Sequence, residues 1–234
     1  MKKIYKGKTA MITGATSGIG LSMAKELALM GCDLIITYRN EDKLKLIEPL
    51  FADINFLAIK CDFENNNQVS DMVSILKNKN VDILVNSAGV FPIKNLRDSS
   101  VKDFDSCFNV NVKIPFILSS LLGKKMCKNE WGRIINIGSS SSYNGSSDTG
   151  IYCASKHALL GLSRSLYKEF KDYNVRVYSV SPGSCQTPMG LTDKRQDFKT
   201  FITPDEVAKI ACYNISFDGE GISEEIRINR MVIR

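Results

Sequence analysis

Tyr152 and Lys156 stand four residues apart in the run Y-C-A-S-K. On a helix that spacing puts a phenol and an ammonium one turn apart on the same face. A free phenol, with a pKa of about 10, is too weak an acid to exchange protons well at neutral pH. A neighbouring cation favours the phenolate and lowers that value, which is the direction acid–base catalysis requires. Ser139 lies thirteen residues before the tyrosine and opens a run of consecutive serines, Ser139 to Ser142. A hydroxyl there can hold a substrate oxygen, although loop serines also bond their own backbone. Spacing selects Ser139 and leaves the other three open.

Far upstream, Thr13 to Gly20 read T-G-A-T-S-G-I-G. Gly14, Gly18 and Gly20 let a backbone turn tightly and approach a diphosphate closely. Thr16, Ser17 and Ile19 fill the same turn, where the first free N–H groups of a helix attract anions. The spacing is G-x-x-x-G-x-G rather than the commoner G-x-G-x-x-G. The second strand ends Thr37, Tyr38, Arg39, Asn40 and offers no acid for a ribose 2′-hydroxyl. Arg39 suits a 2′-phosphate instead, so NADP is expected in preference to NAD. Asp62 follows the third strand and is placed for the adenine, or for capping its own turn.

The elements that must position these groups alternate along the chain. Strands are expected at Lys8–Thr13, Leu34–Thr37, Phe56–Ile59, Val81–Val85, Ile134–Ile137 and Val175–Val180, with Ile226 and Ile228 in a last one. Between them lie helices over Ile19–Met30, Glu41–Phe51, Val69–Leu76, Val101–Cys127 and Tyr152–Phe170, with Pro115 as a kink or break in the long fourth. Such alternation predicts an α/β fold: a single Rossmann-type, doubly wound parallel sheet flanked by helices. The strands are nearly continuous apolar runs, as in a sheet covered on both faces. One domain is expected over 1–234, with a polar, mobile flap at about 189–202 near the site.

The 234 residues are 44% hydrophobic and 24% charged, ordinary for a soluble globular chain. No apolar run reaches the ~20 residues of a membrane span, and the basic start lacks the apolar core of a signal peptide. A cytoplasmic protein is expected. The net charge of +6 is scattered, with no basic stripe interleaved with aromatics, which argues against nucleic acid. Seven cysteines without a C-x-x-C pair, beside a single histidine, argue against a zinc cluster or a disulfide framework. His157, next to Lys156, is expected to point elsewhere, and Cys185 to pack inertly beside the cofactor.

These motifs, with Asn86-Ser87-Ala88-Gly89, Asn111 in N-V-N-V, and Pro182-Gly183 leading to Thr187, resemble the short-chain dehydrogenase/reductase family. The resemblance extends to about Val207 and is nearest in texture to 3-oxoacyl-carrier-protein reductases. It implies Tyr152 as general acid/base and Lys156 as its tuner and holder of the nicotinamide ribose. Ser139 would hold the substrate oxygen, and Asn111 would support a water relay. Asn86, Ala88 and Gly89 would line the adenosine side, and Pro182, Gly183 and Thr187 the nicotinamide. A small-molecule carbonyl or alcohol substrate is implied, in a homodimer across the long helices or a homotetramer.

Three departures from the family stand out. Ser87 replaces a second asparagine, the 187–204 segment is short enough to leave the cleft open or for a partner to close, and a glycine-rich finish is absent. Glu130 and Tyr173 stand where the carrier-protein reductases place basic residues, while Lys128 and Arg133 lie nearby for an acidic carrier. The expected activity is NADP(H)-dependent interconversion of a ketone and a secondary alcohol. The alternatives are a carrier-protein reductase, an NAD-linked dehydrogenase of a sugar or sugar nucleotide, and a catalytically idle dinucleotide-binding protein.

Overall fold

In the computed structural model, which describes residues 3–231, seven parallel strands form one sheet. They are β1 (Thr9–Thr13), β2 (Asp33–Tyr38), β3 (Phe56–Lys60), β4 (Ile83–Asn86), β5 (Gly132–Ile137), β6 (Val175–Pro182) and β7 (Glu225–Ile228). Their order is β3-β2-β1-β4-β5-β6-β7, as expected of a doubly wound sheet. The order reverses between β1 and β4, which leaves a crevice beyond their carboxyl ends.

The helices are α1 (Gly18–Leu29), α2 (Glu41–Ile47), α3 (Asn66–Lys77), α4 (Val101–Phe108), α5 (Ile114–Lys128), α6 (Gly150–Phe170) and α7 (Pro204–Ile215). Side-chain alternation along the strands divides the core in two. Ala10, Ile12, Ile83, Val85 and Ile135 face α1 and α7, meeting Ala24, Leu27, Val207 and Ala211. Met11, Leu84, Ile134 and Val177 face the other way, toward Met72, Leu118, Leu122 and Phe170.

The long fourth helix is broken, but not at Pro115. A π-turn at Asn109–Lys113 separates α4 from α5, with the Ile114 N–H reaching Asn109 O. Pro115 sits in the first turn of α5, where a missing N–H costs nothing. The extra residue in the turn bulges Asn111 inward, burying it to 1% exposure. Val101–Lys128 is the one helical run among the described residues long and apolar enough to cross a membrane, and half of its apolar window is buried in the domain. The helix expected over 41–51 ends at Ile47 and tightens into a 3-10 turn carrying Pro49.

Arg133 is not available to any carrier. Its side chain is wholly buried, pairs with Asp218 and stacks over Trp131. It lies on β5, whose far end leads to Ser139, so Lys128 and Glu130 also sit at the opposite end of that strand from the serine.

All seven cysteines are unpaired and six are buried. The 189–202 segment, read as a mobile flap, is folded down. It carries two 3-10 turns, Gly190–Thr192 and Phe198–Thr200, and Ile202 bridges to Cys185.

Leu118 is fully buried between α5 and the sheet. Leu118→Ala should cost about 2–5 kcal/mol of stability, read as a lowered midpoint in urea unfolding. A change under about 1 kcal/mol would contradict this packing.

Candidate active site

A cleft of about 770 Å³ opens over the carboxyl ends of the strands, at the crevice between β1 and β4. All but Asn86 and Asn111 of the residues singled out from the sequence line it. Those two lie just beneath, buried.

At one end, β1 runs into the glycine turn. Gly14 and Gly18 adopt φ of 67° and 54°, conformations that side chains rarely tolerate. A Cβ on Gly14 would stand 2.9 Å from the Ala88 Cα, and one on Gly18 would stand 3.0 Å from the Thr187 Cγ2. The turn is therefore closed on both sides by the elements expected to line the cofactor. Ser17 begins α1 but makes no capping bond, and the first turn carries no acid. The first N–H groups of α1 are left for an anion from the cleft. The Thr13 hydroxyl anchors the facing wall by accepting from the N–H groups of Ser87 and Ala88, at 3.0 and 3.1 Å. With Ser87 in place of asparagine, that backbone turn is intact.

Beyond β2, Arg39 is exposed and forms no ion pair among the described residues. Lys43, in the first turn of α2, lines the same end of the cleft and is a second cation that the sequence reading missed. Asp62 uses one carboxylate oxygen to accept from the Glu64 N–H at 3.1 Å, so it braces its own turn while facing the cleft. Asn86 is turned inward, its amide donating to Asn136 Oδ1 at 2.7 Å. It supports the strand end rather than lining the space.

At the other end, α6 presents Tyr152 and Lys156, both buried, with the lysine Nζ 5.7 Å from the ring centroid. The Lys156 ammonium donates to the Ile137 carbonyl at 2.8 Å. Burial pushes its pKa down to about 8. The Tyr152 phenol is buried, and that burial pushes its pKa up to about 12, although Ser139 close by pulls it the other way. The expectation that the lysine lowers the tyrosine is not met, because desolvation of the phenolate dominates. Ser139 also accepts from the Ser141 N–H at 3.1 Å. Of the four serines, it is the one that acts on the phenol.

Asn111 is committed to structure. Its Oδ1 accepts from the Val90 N–H at 2.9 Å, and its Nδ2 donates to Val90 O and to Ser155 Oγ, both at 3.0 Å. Ser155 in turn donates to the Tyr152 carbonyl at 2.7 Å. This clamp ties the π-turn to α6 under the tyrosine. Ser155 was legible in Y-C-A-S-K but was not singled out. Phe91 was also missed; its ring packs edge-on against Tyr152 with centroids 4.6 Å apart.

His157 is exposed and bonds the Cys153 carbonyl, away from the cleft. Cys185 is buried at the cleft wall, and burial pushes its thiol up to about 12, which leaves it inert.

Pro182 and Gly183 end β6 at the cleft, and the Thr187 hydroxyl accepts from the Gly190 N–H at 3.0 Å. The flap thus starts tied to the wall. From it, Arg195 holds Asp193 and lies 3.8 Å from Asp148 on the rim before α6. Short as it is, the flap reaches from the cleft wall to the rim before α6.

The glycine cradle, the uncapped α1 terminus and the adjoining cations fit a nicotinamide dinucleotide. The short chain dehydrogenase family profile matches residues 8–197. The 3-oxoacyl-(acyl-carrier-protein) reductase of Rickettsia prowazekii (strain Madrid E) is 38% identical over 188 residues, covering 80% of this chain and 76% of that protein. A metagenomic short-chain oxidoreductase solved in complex with NADP is 27% identical with a TM-score of 0.83, covering 97% of this chain and 99% of that one. A 4-hydroxyisoleucine dehydrogenase complexed with NADH is 29% identical with a TM-score of 0.85, covering 96% and 98%. A cleft built to bind a dinucleotide beside a proton donor thus has its counterparts among enzymes of one kind: this chain belongs to the short-chain dehydrogenases, oxidoreductases acting on CH–OH and C=O groups.

Proposed function

We propose that this enzyme reduces a ketone to a secondary alcohol, and reverses the reaction, with NADP(H). The observation that carries the reading is that one cleft brings together Ser139, the buried Tyr152 phenol and the buried Lys156 ammonium, the ammonium 5.7 Å from the phenol ring. Mere cofactor binding does not require all three groups together.

The α1 turn would hold the diphosphate, and Arg39 with Lys43 the 2′-phosphate. Asp62, Ala88 and Gly89 border the adenosine, and Pro182, Gly183 and Thr187 the nicotinamide. The bound cofactor supplies the hydride that the carbonyl carbon accepts. A phenol pushed up to about 12 is fully protonated at neutral pH, so Tyr152 is ready to give its Oη proton to the carbonyl oxygen. Ser139 donates a hydrogen bond to that oxygen as negative charge grows on it. Lys156 keeps a positive charge beside the phenol, which stabilises the phenolate left after transfer. The Asn111 amide is engaged by Val90 and Ser155, and a relay of water would use its backbone carbonyl, whose usual donor four residues on is Pro115.

The carrier-protein alternative loses support with Arg133 buried. We place the enzyme in the cytoplasm, consistent with its unpaired, mostly buried thiols. We propose a homodimer across the α4–α5 face, where Phe104 and Phe116 are exposed at 43% and 55%.

Tyr152→Phe should lower turnover of a ketone by orders of magnitude, with NADPH affinity kept within about threefold. Unchanged turnover, followed by nicotinamide absorbance, refutes the assignment. Arg39→Ala with Lys43→Ala should weaken NADPH at least about tenfold and leave NADH within about twofold, since only the former carries the 2′-phosphate. Equal losses for both cofactors would sink the NADP preference.

The lysine also makes a stability prediction. Its folded pKa of about 8 lies below the ordinary 10.5, so below pH 8 the fold bears the cost of a buried charge. Between pH 8 and 10.5 the unfolded chain binds more protons, and the cost fades as pH rises. Lys156→Met should therefore raise stability at pH 7 by on the order of 2 kcal/mol, with the gain shrinking toward pH 10. Thermal unfolding across that range checks it; a destabilised variant would contradict the sign.

A further inference from the structure

The substrate end of the cleft carries a cation, Arg230, that no charge among the described residues neutralises. Arg230 follows β7, whose Ile228 carbonyl accepts from the Gly183 N–H at 2.8 Å, so it stands on the nicotinamide side of the cleft. Its guanidinium lies 5.2 Å over the Phe201 ring. One terminal nitrogen donates to Thr200 Oγ1 at 3.1 Å, the other to Gln196 Oε1 at 2.6 Å. All of these partners are neutral, and among the described residues Arg230 forms no ion pair.

Its neighbour differs. Arg195 holds Asp193 with two hydrogen bonds, at 2.7 and 3.0 Å, and that carboxylate is further occupied by Gln196. Arg195 is therefore already neutralised and serves the flap. Arg230 is held in place by two contacts and a ring while several of its five N–H donors remain unused. A guanidinium fixed in a partly buried cleft without a counter-charge suits a planar anion delivered from outside.

We infer that the substrate carries a carboxylate and that Arg230 receives it, which makes this residue a determinant of specificity for oxo- and hydroxy-acids. The inference rests on the carbonyl-reducing reading given above. The cofactor diphosphate is the competing anion, but the uncapped α1 terminus already provides for it. Arg39 and Lys43 supply charge at the opposite, adenosine end. The cleft thus has a cationic position at each end, one for a phosphate and one for the substrate acid.

The test is calorimetric titration of acetoacetate and of methyl acetoacetate into the enzyme saturated with NADP+, at constant ionic strength. With the oxidised cofactor neither ketone is turned over, so binding alone is read. The wild type should bind the acid at least about tenfold more tightly than the ester, as for a charge-assisted hydrogen bond. Arg230→Gln should reduce that preference to below about threefold, while Arg230→Lys keeps part of it. Circular dichroism shows whether each variant remains folded, and the lysine variant preserves the test if the glutamine one does not.

Equal binding of acid and ester, absence of acetoacetate binding, or a preference that survives in Arg230→Gln overturns the inference. A loss of NADP+ affinity in that variant with the preference unchanged would assign the guanidinium to the cofactor, and also overturns it. Reduction of acetoacetate by the wild type with NADPH tests the underlying reading by itself. Its absence, with the acid preference present, strikes the proposed reaction and leaves Arg230 as an acid-binding residue.

Discussion

A buried ammonium organises this protein. Lys156 is 5% exposed, forms no ion pair among the described residues, and rests on the single carbonyl of Ile137. A charge so desolvated is costly, and the fold tolerates it only because the surrounding elements are fixed independently. The end of β5 supplies the carbonyl. The long α6 holds the stem in place, and the Asn111–Ser155 clamp keeps the π-turn and α6 together beneath it. The charge gains its value when negative charge develops on the phenol next to it. The same burial that raises Tyr152 and lowers Lys156 keeps the acid protonated until a carbonyl oxygen needs the proton.

The cleft is arranged around that pair. Toward β2 it offers backbone N–H groups and two surface cations, all suited to phosphate. Toward β7 it offers a single organised guanidinium beneath a short flap. The flap is secured through Gln196, which accepts from Ser184 and Arg230 and donates to Asp193. A short segment can therefore be tied to both the cleft wall and its rim, although its length led us to expect an open cleft or closure by a partner. The neutral and cationic positions along the cleft explain how one sheet edge accommodates a charged nucleotide and a small polar reactant at once.

Much of this was legible in the sequence because it is local. Strand and helix periods predicted the strands and the alternation as far as β6, but not α7. Thr13 to Gly20 and Y-C-A-S-K announced their turns by residue type alone. Long-range packing was less visible. The π-turn at Asn109–Lys113 depends on how α5 docks, so Pro115 drew attention to the wrong residue. Arg133 read as a surface cation because nothing nearby in sequence reveals that Asp218 and Trp131 enclose it. Lys43 and Arg230 come to the cleft only through the folding of α2 and the path of the chain past β7. The sign of the Tyr152 shift was misjudged because a spacing rule counts the neighbouring charge and not the desolvation.

The account depends most directly on the state of one amine. Titration of the Lys156 ammonium by nitrogen-15 NMR in the cofactor-free protein measures it without recourse to activity. The structure predicts a midpoint of about 8. A midpoint at the ordinary 10.5 would mean that water or an unseen anion reaches the amine, and the desolvated pair on which the proposed proton transfer rests would not exist.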